Sequence, residues 1–355
     1  MPAWIEGRSV SREEATAAAG RLLAGARHAI VGGLAGDVDA IRAACRLAFR
    51  LGASLDANGS EGLYAELSVL AGSGVMATTP SEARARADLV LAVGTVAARS
   101  PALAALAAGE PHRGDGSRRR RLIVVAEQPG PAAKSGRDLH VPPVAGSLAA
   151  TLGLIRAIAG GRLAADGRSP ELAELGAQLA GAAFGVAVYD PGELGDLAVD
   201  LLQGMVKELN VTTRFTTLSL AQAGRAALQV GAWTTGDGPR TGLARFYPEH
   251  DPWRFDAARL IAAGEADAGL WVGPLAPLPW PGRLPAAALL SGAAGGEAAI
   301  VIDVARPGED AAGTLWDEER GTLAYRPALR PGTAPTAAAV LAAIEAALPP
   351  QVASC

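Results

Sequence analysis

Short, unbroken apolar runs closed by glycine or a polar turn recur along this chain, and they limit its fold more than any other feature. "HAIVGG" (28–33), "DLVLAVG" (88–94), "RLIVVAEQ" (121–128), "FGVAVYD" (184–190), "DAGLWVG" (267–273) and "AAIVIDV" (298–304) carry little polar alternation and are too short for buried helices. A strand can be apolar at nearly every position only when both faces of its sheet are covered, which is the condition of a parallel α/β sheet. Between the runs lie stretches with helical spacing. Residues 37–51 place Ile41, Ala44, Cys45, Ala48 and Leu51 on one face, and 101–109 opens with Pro101 and closes with Gly109. Further helices are expected at 146–160, 192–209, 255–264 and 336–348, and Ser11 with Glu14 forms a capping box that starts another. "ASLDA" (53–57) reads as a strand, and Ser81 as the cap of a short helix over 81–87. Residues 314–327 read as a hairpin turning at Arg320-Gly321. The fold class that follows is α/β, with two tandem doubly wound Rossmann-like domains and mainly parallel sheets.

A weak internal repeat supports the tandem arrangement. Ala87-Asp88 and Ala266-Asp267 each precede an apolar strand that ends in Val-Gly, at Val93-Gly94 and Val272-Gly273. "RLIVVAE" and "AAIVIDV" are taken as the strands that follow in each copy. The Gly-, Arg- and Asp-rich stretch 160–169 marks the boundary. The expected domains are 1–160, with possible completion by the C-terminal segment, 170–330, and a closing helix and tail at 331–355. Facing strand ends would form the binding cleft.

Aromatic residues make up only 4% of a chain that is 50% hydrophobic, so the cores must be built from Ala, Val and Leu. The net charge of -4 gives no electrostatic basis for binding nucleic acid or an anionic membrane. Cys45 sits in an apolar helical pattern and Cys355 is the last residue, a usage that fits neither a disulfide framework nor a Cys₄ metal site. With no apolar segment of signal-peptide type at the start, a reducing cytoplasm is the expected location.

Several local features admit two interpretations. "VGGLAGD" (31–37) is either a structural turn or a phosphate cradle that departs from G-x-G-x-x-G. Arg118 to Arg121 form a solvated loop or a contact for an acidic partner or a glutamate-rich cofactor tail. Glu249, His250 and Asp251 lie in a turn between Pro248 and Pro252, where three adjacent residues rarely converge on one ion. Ser60 with Glu61 is a polar turn or a nucleophile with its base. "GPLAPLPWPG" (273–282) is a rigid loop, with Trp271 and Trp280 as possible interface anchors.

The blocks "SLDANGSEGLY" (54–64), "GSGVMATTPSEARA" (72–85), "RADLVLAVG" (86–94), "NVTTRFTTLSLAQAG" (210–224), "WTTG" (233–236) and 245–273 occur in an order that resembles the B subunit of formylmethanofuran dehydrogenase, a branch of the molybdopterin oxidoreductases. The resemblance spans roughly residues 20 to 330 and is specific in 58–94 and 210–273. It implies the central domains of those enzymes, which hold molybdenum or tungsten on pterin dinucleotides through a cysteine or selenocysteine, beside an iron–sulfur cluster. Here Ser60-Glu61-Gly62 stands where the thiolate would be, and no Cys-x-x-Cys is present. A hydroxyl is a harder and far less acidic ligand than a thiol. The loop therefore resembles an emptied metal site. On this resemblance Asn58, Ser60, Glu61, Gly62, Arg214, Trp233, Thr234 and Gly236 line a vestigial cleft, with no catalytic residue, metal or cofactor expected.

Shortened B subunits of this kind belong to the formyltransferase/hydrolase complex of methylotrophic bacteria. The resemblance implies that such a complex moves a formyl group from tetrahydromethanopterin to a methanofuran analogue and releases formate. The D subunit would transfer, the A subunit would hydrolyse, and the B subunit would pack with the C subunit as a scaffold. The A, C and D subunits are thus the expected partners. An active metal–pterin oxidoreductase and a stand-alone small-molecule binder are the alternatives.

Overall fold

The computed structural model describes residues 2–57, 59, 61–112, 120–133, 138–164, 170–245, 247–276 and 283–350. The chain opens with β1 (Ala3–Ile5), β2 (Arg8–Val10), α1 (Arg12–Ala24), β3 (Ala29–Gly32), α2 (Val38–Leu51) and β4 (Ser54–Asp56). It continues with α3 (Glu61–Ser73), α4 (Pro80–Arg86), β5 (Leu89–Val93), α5 (Thr95–Arg99), α6 (Pro101–Ala108), β6 (Arg121–Val125) and β7 (Leu139–Val141). After these come α7 (Leu148–Ala159), α8 (Pro170–Ala180), β8 (Gly185–Tyr189), α9 (Pro191–Leu209), β9 (Phe215–Ser219) and α10 (Arg225–Thr235). The remaining elements are β10 (Thr241–Gly242), β11 (Glu249–His250), α11 (Ala257–Ala262), β12 (Ala268–Gly273), β13 (Ala286–Leu290), β14 (Ile300–Asp303), β15 (Gly313–Asp317), β16 (Thr322–Arg326) and α12 (Ala337–Ala346).

Two α/β units result, but not the sequential pair that the 160–169 stretch suggests. Unit 1 comprises 1–60, 223–317 and 322–355, and unit 2 comprises 61–222 and 318–321. The boundary expected near 160 falls inside unit 2, because α7 and α8 cover the same sheet and share its core. Val340, Leu341 and Ile344 of α12 enter the main core of unit 1.

Unit 2 is built on a sheet of order β7-β6-β5-β8-β9, parallel throughout. Its apolar runs are explained by double coverage. Leu89, Leu91 and Val93 of β5 face a core shared with α3, α7, α8 and α9, while Val90 and Ala92 face one shared with α4, α5 and α6. Unit 1 holds a nine-stranded sheet of order β11-β10-β4-β3-β12-β13-β14-β1-β2 among the described residues. Its central five strands are parallel, and antiparallel pairs finish both sides.

The two parallel cores are the same sheet in permuted chain order. β7-β6-β5-β8-β9 corresponds to β14-β13-β12-β3-β4, so the two strands that come last in unit 2 come first in unit 1. The repeated aspartates confirm the alignment by doing the same work. Asp88 accepts from the N–H groups of Ala183 and Phe184 just before β8, and Asp267 accepts from Arg27 and His28 just before β3. The counterpart of β6 is β13, "AAALL", and not the 298–304 run, which supplies β14. An alanine-rich segment has low strand propensity, and only its place in the middle of the sheet makes it a strand.

Arg118 and Arg119 lie outside the described residues. Arg120 is half-buried and donates to the carbonyls of Ala87 at 2.8 Å, Arg84 at 2.6 Å and Gly109 at 3.1 Å, and to that of Leu106. It closes the C-terminal ends of α4 and α6, where helix carbonyls lack partners. Arg120 is therefore an internal clamp, not a solvated or partner-seeking residue. Arg120→Ala is expected to destabilise the chain by about 2 kcal/mol, visible as a lower thermal midpoint. Arg120→Lys should recover little of it, because an ammonium cannot span carbonyls on two helices as a planar guanidinium does.

Candidate functional site

In an open parallel sheet a ligand crevice forms outside the carboxyl ends of the strands, where the chain order reverses. In unit 2 that point lies between β5 and β8, and in unit 1 between β3 and β12.

In unit 2 the turn after β5 runs Gly94-Thr95-Val96 into α5. Its N–H groups would meet an incoming anion, and the chain itself supplies one. The Glu193 carboxylate accepts from Thr95 N at 2.7 Å and from Val96 N at 2.9 Å. Two features deliver it there. Asp190 caps the first turn of α9 by accepting from Glu193 N at 2.9 Å, and the helix breaks at Gly195, where φ is +71° and ψ 169°. The short first turn is thereby free to point back at β5. Gly94 has φ +93°, and a Cβ there would lie 2.3 Å from Glu193 Oε2. Beside this plug is a half-open pocket of about 640 Å³. Val96, Pro101, Ala102 and Leu220 give it apolar walls, and Asp190, Arg99 and Glu318 are its charged groups.

In unit 1 the "VGGLAGD" turn is closed by backbone. Leu34 N–H binds Gly32 O at 3.0 Å, Ala35 N–H binds Val272 O at 2.9 Å, and Leu275 N–H binds Ala35 O at 3.0 Å. Gly33, with φ +78°, lets the Trp271 ring pack where a Cβ would come within 2.7 Å of it. Asp37 caps α2 through Ala40 N at 3.2 Å, and burial raises its carboxyl above the ordinary value. The Leu34 and Ala35 N–H groups of the turn are thus already used by the chain's own carbonyls. Trp271 is buried in this core, so it is not an interface anchor, and Trp280 lies outside the described residues.

The residues assigned to a vestigial cleft are divided between the two units. Asn58 and Ser60 lie outside the described residues. Glu61 is the exposed first residue of α3. Gly62 sits at the carboxyl edge of the unit 2 sheet, where a Cβ would be 3.2 Å from Gly192 N and 3.3 Å from Ala221 Cβ. Arg214 is exposed at the amino end of β9, where its carbonyl accepts from Gly185 N at 2.8 Å. The strand begins only at Phe215, after Asn210 has closed α9 by bonding Phe215 N and O, so in a parallel sheet Arg214 falls on the edge away from ligands. Trp233, Thr234 and Gly236 belong to unit 1. Trp233 is 61% exposed, Thr234 bonds back to Val230 O, and Gly236 ends α10 in the left-handed conformation.

His250 Nδ1 faces Thr241 Oγ1 at 3.2 Å, Glu249 pairs with Arg245 and Arg254, and Asp251 binds the N–H groups of Trp253 and Arg254. Among the described residues no group of three or more His, Cys, Asp or Glu is arranged to hold a metal. Among the described residues the donor set does not fit a thiolate-ligated metal–pterin group. Cys45 is buried in α2, where burial pushes its thiol up to about 11, so it is protonated at neutral pH. Sequence reasoning does not reach Glu193; a glutamate three residues after Asp190 reads only as the first turn of a helix.

Among the described residues no helix is long and apolar enough to cross a membrane. No family model matches the chain. It is 43% identical over 336 residues to the B subunit of the formyltransferase/hydrolase complex Fhc of Methylorubrum extorquens, covering 92% of this chain and 91% of that protein. It also superposes, with a TM-score of 0.89 and 44% identity over 97% of its length, on a chain of the crystal structure of the M. extorquens FhcABCD complex with methylofuran, 98% of which is covered. The order of the blocks around residues 54–94 and 210–273, the permuted pair of doubly wound sheets and identity of this extent agree: the chain belongs to the family of B subunits of formyltransferase/hydrolase complexes.

Proposed function

We propose that this chain is a non-catalytic scaffold within a cytoplasmic formyltransferase/hydrolase complex. It packs with the A, C and D subunits, which carry formyl transfer from tetrahydromethanopterin to a methanofuran analogue and release of formate. The observation that carries this reading is the occupation of both switch points by the chain's own groups. The Glu193 carboxylate takes the turn after β5, and the Val272 carbonyl and the Trp271 ring take the turn after β3. A fold that spends its anion-binding N–H groups internally keeps its architecture and gives up the dinucleotide chemistry that such turns serve.

The test is co-expression of the tagged chain with its A, C and D subunits. A stable complex that releases formate is expected, together with no turnover by the isolated chain and no molybdenum or tungsten approaching one per chain. Turnover by the chain alone, or such a metal content, would overturn the proposal. Ser60→Ala should leave formate release by the complex within about twofold, whereas removing a true acid–base or nucleophilic group costs roughly 10²-fold or more.

A further inference from the structure

We infer that the pocket beside the Glu193 plug in unit 2 is a docking site for an apolar segment of a partner protein of the complex that carries a basic residue; the inference rests on the scaffold reading above. The pocket holds about 640 Å³, is half open, and has walls of Val96, Pro101, Ala102 and Leu220. Val96, one of its walls, is 47% exposed and so reachable by an incoming segment.

The charges decide the occupant. Asp190 and Glu318 line the pocket against the single guanidinium of Arg99. The adjoining Thr95 and Val96 N–H groups, the donors that would receive a phosphate or carboxylate, are held by Glu193. An anionic ligand would therefore meet net negative charge and spent donors. An aliphatic side chain flanked by lysine or arginine would bury its apolar part against Val96 and Leu220 and place its cation near Asp190 and Glu318. Glu318 is held in place by the turn that also contains Glu319, which pairs with Arg84 on α4.

The experiment uses the full chain co-expressed with the A, C and D subunits. Ala102→Trp fills the pocket, and Glu318→Lys reverses its charge from an exposed turn without touching the core. Assembly with at least one of the three should weaken by about tenfold or more for Ala102→Trp and about three- to tenfold for Glu318→Lys. Added salt should weaken the parent complex but have little effect on the Glu318→Lys complex. Thermal midpoints of the isolated variants close to the parent's show that folding is intact. If Ala102→Trp fails that check, Glu318→Lys carries the test alone. Assembly unchanged in both variants overturns the inference while leaving the scaffold reading standing. A small molecule retained by the parent chain in native mass spectrometry and lost from Ala102→Trp also overturns it. Failure of the parent chain to assemble with any of the three overturns the scaffold reading itself.

Discussion

Gly94→Ala is expected to destabilise the chain by about 2–4 kcal/mol, lowering the melting midpoint by roughly 3–6 °C. Two costs add. At φ +93° and ψ 165° the backbone sits where an L side chain is strained by about 1–3 kcal/mol. The new Cβ would also stand 2.3 Å from Glu193 Oε2 and force the carboxylate out. The Thr95 and Val96 N–H groups then lose their acceptor, a penalty softened because both residues are exposed and water can reach them. A double-mutant cycle separates the terms. Glu193→Ala alone should cost about 1–2 kcal/mol, and Gly94→Ala in that background only the backbone strain. Independent, additive effects measured by chemical denaturation would refute the plug, because they would mean that glycine and carboxylate do not share the site.

What could be read from sequence follows from what each residue interacts with. Continuous apolar runs identify β5, β6, β8 and β12 because a strand covered on both faces has no polar positions. The hairpin at Arg320-Gly321 was legible from its turn residues, and Gly321 does take φ +61°. The cap of α4 was displaced from Ser81 to Thr79, whose hydroxyl accepts from Glu82 N, because Pro80 already fills the first helical position. β13 was illegible, since "AAALL" is helical by propensity and becomes a strand only between β12 and β14. The discontinuous units were illegible for a related reason. The restart after residue 160 is a real change in composition, but which strands pair is decided by long-range partners such as Asp267 with Arg27 and His28. The plug was hidden because its carboxylate and its two donors are almost a hundred positions apart in the chain.

Asp88→Ala is expected to cost about 3–4 kcal/mol, and Asp267→Ala only about 1–2 kcal/mol, although the two aspartates do the same work in the two sheets. Burial makes the difference. Asp88 is 4% exposed, and its carboxylate accepts from Phe184 N at 2.7 Å and from Ala183 N at 3.1 Å. Without it the buried Phe184 amide has no route to water. The Asp267 side chain is 32% exposed and its partner Arg27 is 83% exposed, so solvent replaces much of what is lost. Amide hydrogen exchange should register the contrast locally, with Ala183 and Phe184 losing protection in Asp88→Ala and Asp88→Asn recovering part of it through its remaining carbonyl. The second aspartate adds a pH signature. The His28 N–H first, and then the Arg27 side chain, hold the Asp267 carboxyl below its ordinary value of 3.8. A carboxyl depressed in the folded state contributes stability above its unfolded value and loses it as pH falls through the folded one. The stability gap between the parent and Asp267→Asn should therefore be constant near neutrality and close as the pH is taken below 3.8. A gap that persists undiminished into that acid range would show that the ionised carboxylate is not what ties β3 to β12.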